Sequence, residues 1–176
     1  MPNSTTQRYT LVAIALHWLI ALLIIGLLAT GWYSGSLPKG DARTAIILLH
    51  KSVGLLVFGL ILIRIFWRLT HTPPPLPESL PSWTKVVAGI LHFGLYALMI
   101  IQPVSGYLAS IYGGYKVSFF GILLPAWGAK DDNLRAFFNE THDVAGIIFA
   151  VLIAIHLAAA IKHMIAKNGI VQRMLP

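Results

Sequence analysis

The 176 residues contain no cysteine. Disulfides, iron–sulfur ligation and thioether attachment of a haem are therefore excluded, and histidine is left as the strong metal-binding side chain. Charge is also scarce. Asp, Glu, Lys and Arg make up 11% of the chain, against 57% hydrophobic residues and a mean hydropathy of +0.76, a balance outside that of soluble domains. Only six residues are acidic and none lies at mid-membrane, which argues against a proton or cation transporter. The formal charge of +7 comes without a basic helix or a basic run interleaved with aromatics, so it does not point to nucleic acid. No internal repeat is present.

What is present, four times over, is an apolar run of membrane-spanning length. Leu11 to Gly31, Thr44 to Phe66 (broken by Lys51 and Arg64), Val86 to Ala109 and Val144 to Ile161 each suit a hydrocarbon core that takes roughly 20 helical residues to cross. The pattern predicts an all-α integral membrane four-helix bundle. It forms one domain over residues 1–176, with helices over about 9–33, 42–69, 82–110 and 139–167, the last starting near Leu134 or Asn139. Gly, Ser and Pro in SGSLPKGD end the first helix, and THTPPPLPESLP ends the second as a stiff connector. Pro103 predicts a kink in the third helix, with Gln102, Ser105 and Tyr107 placed to satisfy the freed backbone. The stretch YGGYK…FFG…LLPAWG predicts an aromatic-rich lid at the outer surface. The first run lacks a basic start and a small-residue cleavage site and is read as a retained helix. Seven Lys and Arg lie with the termini and six opposite, a narrow margin for cytoplasmic N- and C-termini. Four spans and their connections leave no soluble head, so a soluble partner is expected to be a separate molecule.

Ionisable side chains inside a bilayer are read first as functional. His17 falls in the first helix, His50 in the second, His92 in the third, and His142 and His156 in the fourth. The last two are 14 residues apart, about 40° around the helix and about 21 Å along it, so one face offers imidazoles at two depths. With alternating helix directions, His50 enters at the depth of His142 and His17 at the depth of His156. The expected pairs are His50 with His142 on the outer side and His17 with His156 on the inner side. Two imidazoles facing an iron from opposite sides fill both axial positions, giving a haem that relays electrons and holds no open site for oxygen. Two b-type haems about 20 Å apart would bridge much of the bilayer. Gly54, Gly146, and Ala159 with Ala160 lie one turn beyond His50, His142 and His156 and are expected to give flat macrocycles clearance. Isolated histidines bonding neighbouring helices would explain one such residue but not four at matched depths, and a zinc site would gather its ligands at one depth.

The chain resembles the bacterial di-haem cytochrome b561 family over essentially its whole length. The likeness is carried by ALHWLI around His17, LLHKSVG around His50, IRIFWR at the end of the second helix, QPVSGY in the third, NETHDVAG around His142 and AIHLAAAIKH around His156. It implies a bundle in the bacterial inner membrane with one haem near each face, held by His17, His50, His142 and His156. It also implies ubiquinone as a redox partner and, in one branch, oxidation of superoxide at the outer, periplasmic surface. Relatives include membrane cytochrome subunits of hydrogenases and formate dehydrogenases. The alternative is therefore an anchor subunit linking a dehydrogenase or hydrogenase to the quinone pool, and a third reading is a haem-free structural or transport protein.

Further residues follow from that frame. Arg68 is five turns past His50 on the same face and Arg64 is about 40° away; either suits a haem propionate, and either would also serve as a snorkelling anchor. Lys51, next to His50, and the nearby Lys39, Arg43 and Lys116 predict a cationic rim that would steer an anionic donor, with Asp41, Asp131, Asp132 and Glu140 partly cancelling it. His163, two turns beyond His156, is a candidate for quinone or propionate binding. His92 lies near the inner depth but has no ligand partner in the pairing, and His71 in the proline loop is read as solvated.

Overall fold

The computed structural model describes residues 8–75 and 80–175. Four helices carry the fold: α1 (Leu11–Ser36), α2 (Asp41–Thr70), α3 (Ser82–Tyr112) and α4 (Asp132–Ile165). All four are long and apolar enough to cross a membrane; the shortest, α1 with 26 residues, extends about 39 Å. Of the proline-rich connector between α2 and α3, residues 76–79 lie outside the described residues.

Local chemistry sets the helix ends. Thr10, in extended conformation, accepts the Ala13 amide at 3.3 Å and starts α1. Leu37, held extended ahead of Pro38, ends it. The Asp131 carboxylate accepts the amides of Asn133 at 2.9 Å and Leu134 at 3.0 Å. That cap starts α4 at Asp132, seven residues before Asn139, because a side-chain acceptor satisfies the first amides even where the opening turns are polar.

Between α3 and α4 the chain forms a small hairpin, β1 (Ser118–Phe119) paired antiparallel with β2 (Ile122–Leu123). Its two-residue turn, Phe120 and Gly121, takes φ of 47° and 91°, the left-handed pair that matches strand twist. A bulky residue there is strained, and Ser52 holds it: the buried Ser52 hydroxyl accepts the Phe120 amide at 3.1 Å and lies 3.1 Å from the Ser118 carbonyl. The expected lid is thus stitched to α2 two residues after His50.

α1 packs chiefly on α2, and α3 on α4, with a lighter contact between α2 and α3. Ile20 and Ile24, Val57 and Ile61, Leu95 and Leu98, and Ala145 and Phe149 meet in one core between the four helices. Outward, Leu22, Ile25, Phe93 and Ile147 are more than half exposed, a surface that only lipid covers. At the face carrying the termini, a 3-10 turn (Val171–Arg173) folds back beneath the bundle. Trp18 Nε1 donates to the Met174 carbonyl at 2.8 Å, the Tyr9 amide to the Arg173 carbonyl at 3.1 Å, and Arg173 to the Pro74 carbonyl at 2.6 Å.

Candidate functional site

The four histidines meet in two pairs. The ring centres of His17 and His156 are 6.2 Å apart at 64°, and those of His50 and His142 are 6.2 Å apart at 79°. An imidazole nitrogen binds a first-row metal at about 2.0–2.1 Å and the ring centre lies about 1 Å behind it, so two rings on opposite sides of one iron have centres about 6 Å apart. Both separations suit such an ion. Each pair joins α4 to a helix with which, among the described residues, it has no extensive backbone contact, α1 at one level and α2 at the other.

Hydrogen bonds set the tautomers of the pair furthest from the termini. His142 Nδ1 lies 2.9 Å from the Gln102 carbonyl, which can only accept, so Nδ1 carries the proton and Nε2 is bare. Ser105 Oγ is 3.3 Å from the same nitrogen. Thr30 Oγ1 donates to the Gly26 carbonyl at 2.8 Å and so accepts from His50 Nδ1 at 3.2 Å. Both nitrogens left bare are the ones a metal would take, and partners of this kind fix a ligating imidazole's orientation. Thr30, Gln102 and Ser105 were not assigned this work from the sequence. Gln102 and Ser105 were expected only to satisfy the backbone at Pro103, while Tyr107 accepts from Trp127 Nε1 at 3.0 Å.

Two glycines seat these rings. A Cβ on Gly31 would stand 3.3 Å from His50 Cε1, and one on Gly106 would stand 2.9 Å from His142 Cε1. Gly54 has open space beside it. Gly146 does not, because the Gln102 side-chain amide fills that place. With its nitrogen toward α4, that amide bridges the His142 carbonyl at 2.9 Å and the Gly146 amide at 3.2 Å. Gly106→Ala is therefore expected to push the His142 ring aside. A shifted visible spectrum or loss of haem in the purified variant would register it, and an unchanged spectrum would show that the ring can yield.

The other level is arranged differently. Arg64 donates to the Ala13 carbonyl at 3.0 Å and lies 3.3 Å from His17 Nδ1. A guanidinium never accepts, so His17 Nδ1 accepts and its proton sits on Nε2. Arg68 lies over the Tyr96 ring at 5.7 Å instead. His92 joins this level, its ring centre 5.6 Å from that of His156; it is exposed at the bundle surface. His163 sits in the last turn of α4, with the Asn168 amide nitrogen 2.7 Å from its Nδ1. His71 stacks on Trp67 at 3.7 Å.

Near His50, Lys51 does not stand alone. Its Nζ lies 5.4 Å from the Tyr115 ring centre, and the Arg135 guanidinium lies 5.3 Å from the same ring. Two of the expected neutralising acids are engaged elsewhere: Asp132 pairs with Lys130 at 3.3 Å, and Asp131 caps α4.

Comparison with known proteins agrees with this architecture. The family model described as "Prokaryotic cytochrome b561" matches residues 8–176. "Cytochrome b561 homolog 2" of Escherichia coli (strain K12) is 34% identical, covering 98% of this chain and 94% of the relative. "Cytochrome b561 homolog 1" of the same organism is 26% identical over 97% and 98%. "Probable superoxide oxidase CybB" of Yersinia pestis is 25% identical over 97% of each chain.

Proposed function

Because the chain belongs to the prokaryotic cytochrome b561 family of b-haem-binding, multi-pass inner-membrane electron-transfer proteins, we propose that it holds two haems and moves electrons from superoxide to ubiquinone. The observation that carries this is the pair of equal 6.2 Å histidine separations at two levels of one bundle. A bound haem would supply a reversible one-electron iron couple. His17 and His156 would hold one haem at the terminal face, which we orient to the cytoplasm, and His50 and His142 would hold the other toward the periplasm. Each superoxide gives up one electron and leaves as oxygen. Two superoxides and two protons, the latter from the terminal face, convert one quinone to its quinol.

The residues at the terminal level divide the work. If His17 binds metal through Nε2, its proton belongs on Nδ1, so Arg64 turns away from that nitrogen and is free for a haem carboxylate, a bidentate partner that suits it. Arg64, beside His17, is assigned this role in preference to Arg68. Quinone, being apolar, enters from lipid on the side where His92 is exposed. Asn168 Oδ1 accepts the Ile170 amide at 3.4 Å, which turns its nitrogen toward His163 Nδ1. His163 therefore carries its proton on Nε2, ready to donate to a quinone carbonyl.

His163→Ala is expected to raise the quinone KM about fivefold, the worth of one neutral hydrogen bond, with both haem spectra intact. Unchanged quinone kinetics would move the site elsewhere. The whole reading is tested by superoxide-dependent reduction of ubiquinone by the pure, haem-loaded chain. A rate no greater than that of superoxide and quinone alone would reject it.

A further inference from the structure

α4 packs closely on α3, yet among the described residues it has no extensive backbone contact with α1. His17 and His156 face each other between those two helices, so no direct packing of α1 on α4 fixes their 6.2 Å separation. Beyond α4 the chain itself makes the crossing. Lys167 and Gly169 take φ of 49° and 79°, left-handed positions that reverse the chain, and the 3-10 turn Val171–Arg173 comes back against α4. The next carbonyls then reach α1. The Arg173 carbonyl accepts the Tyr9 amide at 3.1 Å, and the Met174 carbonyl accepts Trp18 Nε1 at 2.8 Å. Trp18 follows His17 in sequence, its ring edge-on to the imidazole with centres 5.5 Å apart. Around the helix Trp18 stands about 100° to one side of His17, and Ala13, which meets Arg64 of α2, about 40° to the other. The segment therefore meets α1 on the side turned away from α2, within about a turn of the ligand's depth.

One side chain bolts this segment in place. Arg173 is 3% exposed; its guanidinium lies over the Tyr9 ring at 5.7 Å and donates to the Pro74 carbonyl at 2.6 Å, tying the segment to the start of α1 and to the connector after α2. Burying a guanidinium is costly unless its donors are met, so Arg173 stays under the bundle only while those partners are in place. The other residues of the segment are exposed or half-buried. A segment attached by a few hydrogen bonds and one buried side chain, outside the apolar core, opens at less cost than the bundle unfolds.

We propose that residues 168–175 form a strap that ties α4 to α1 at the His17–His156 level, with Trp18 as its latch. To gain or lose a group held by both imidazoles, α1 and α4 have to part, and the closed strap opposes that. Its opening therefore sets how fast this level exchanges haem and leaves the His50–His142 level unaffected. The inference rests on the ligand pairing proposed above and on neither superoxide nor quinone.

The test follows haem transfer from the loaded full chain in detergent to excess apomyoglobin, by Soret absorbance and by native mass of the chain, with hydrogen exchange of the 170–175 amides measured alongside. His17→Ala, which should keep only the other haem, supplies the spectrum that tells the two levels apart. Trp18→Phe keeps an aromatic ring beside His17 and removes the N–H that the Met174 carbonyl accepts. It is expected to raise amide exchange in the strap and to speed loss of the His17–His156 haem about fivefold, the worth of one neutral hydrogen bond. Gly169→Ala strains the hinge at φ 79°, leaves Trp18 and both ligands as they are, and is expected to act in the same sense and to a similar degree. Loss from the other level is expected to stay at the wild-type rate in both variants. Unaltered exchange in the strap, a loosened strap with unchanged haem retention, or equal acceleration at both levels would overturn the proposal. An effect of Trp18→Phe that Gly169→Ala does not share would overturn it too, assigning Trp18 to the packing of His17 alone. A wild type that binds no haem through His17 and His156 would fail the ligand reading and this proposal with it, an outcome the haem-to-protein ratio reports before any transfer begins.

Discussion

Replacing His50 or His142 with Ala is expected to remove one haem per chain and leave the other, and replacing His17 or His156 is expected to do the reverse. The independence follows from distance: His142 and His156 stand 14 residues apart on one helix, about 21 Å, with the apolar core of Ile20, Ile61, Leu95 and Phe149 between the levels. Within a level the loss is expected to be cooperative, because a single imidazole would hold the group by one metal–nitrogen bond in place of two. The two levels are expected to differ in degree. His50 and His142 present bare Nε2 atoms, fixed by Thr30 and by the Gln102 carbonyl, so their haem loads without rearrangement. His17 must first lose the Arg64 contact. Haem-to-protein ratio and the reduced-minus-oxidised spectrum of each purified variant give the readout. His92→Ala is expected to keep both haems, since His92 is exposed at the bundle surface whereas His17, His50, His142 and His156 are all partly buried between helices. If His92→Ala lost a haem the pairing would be wrong, and full haem content in all four ligand variants would end the relay reading.

How the sequence led this far is itself physical. Membrane-spanning helices have one length scale and one rise per residue, so the depth of a histidine can be read by counting from a helix end. That is why His17 could be matched to His156 and His50 to His142 without coordinates. Rotation between helices cannot be counted. Thr30 and Gly31 face His50 from α1, and Gln102, Ser105 and Gly106 face His142 from α3, with 19 to 40 residues separating the partners. Their relation depends on which way each helix turns in the bundle, which no periodicity in this nearly all-apolar chain specifies. The sequence leaves the start of α4 between Leu134 and Asn139 for another reason: DNLRAFFNE is polar enough to read in part as a loop, and the Asp131 cap starts the helix at Asp132, two residues before the earlier alternative. Beyond α3, positive φ at Gly114, Phe120 and Gly121 turns the connection back on itself and brings Tyr115 onto Lys51, a meeting that spacing alone does not announce.

That meeting sharpens the expectation for the electron donor. Superoxide is a small anion, and cations around its entry raise its rate of encounter, more so at low salt. The sequence alone left this effect balanced against four acids. In the fold, Asp131 is bound to the amides that open α4 and Asp132 is paired with Lys130, so both offset charges other than Lys51. Lys51 and Arg135 share the Tyr115 ring at 5.4 Å and 5.3 Å, next in sequence to His50 and one α4 segment before His142. Lys51→Glu would do more than delete one charge, because it sets a carboxylate near the Tyr115 ring that Arg135 also meets and so offsets part of that cation's field as well. The superoxide-dependent rate is expected to fall about tenfold at low ionic strength, within the range that steering commands. The difference should close as salt shortens the Debye length to about 8 Å near 0.15 M. Lys51→Met, which removes one charge and adds none of the opposite sign, should lose only part of this. Both haem spectra should persist, and reduction by a neutral chemical reductant should not change. A wild-type rate indifferent to salt, or a Lys51→Glu rate equal to it, would turn the outer face toward a docked protein donor in place of a diffusing anion.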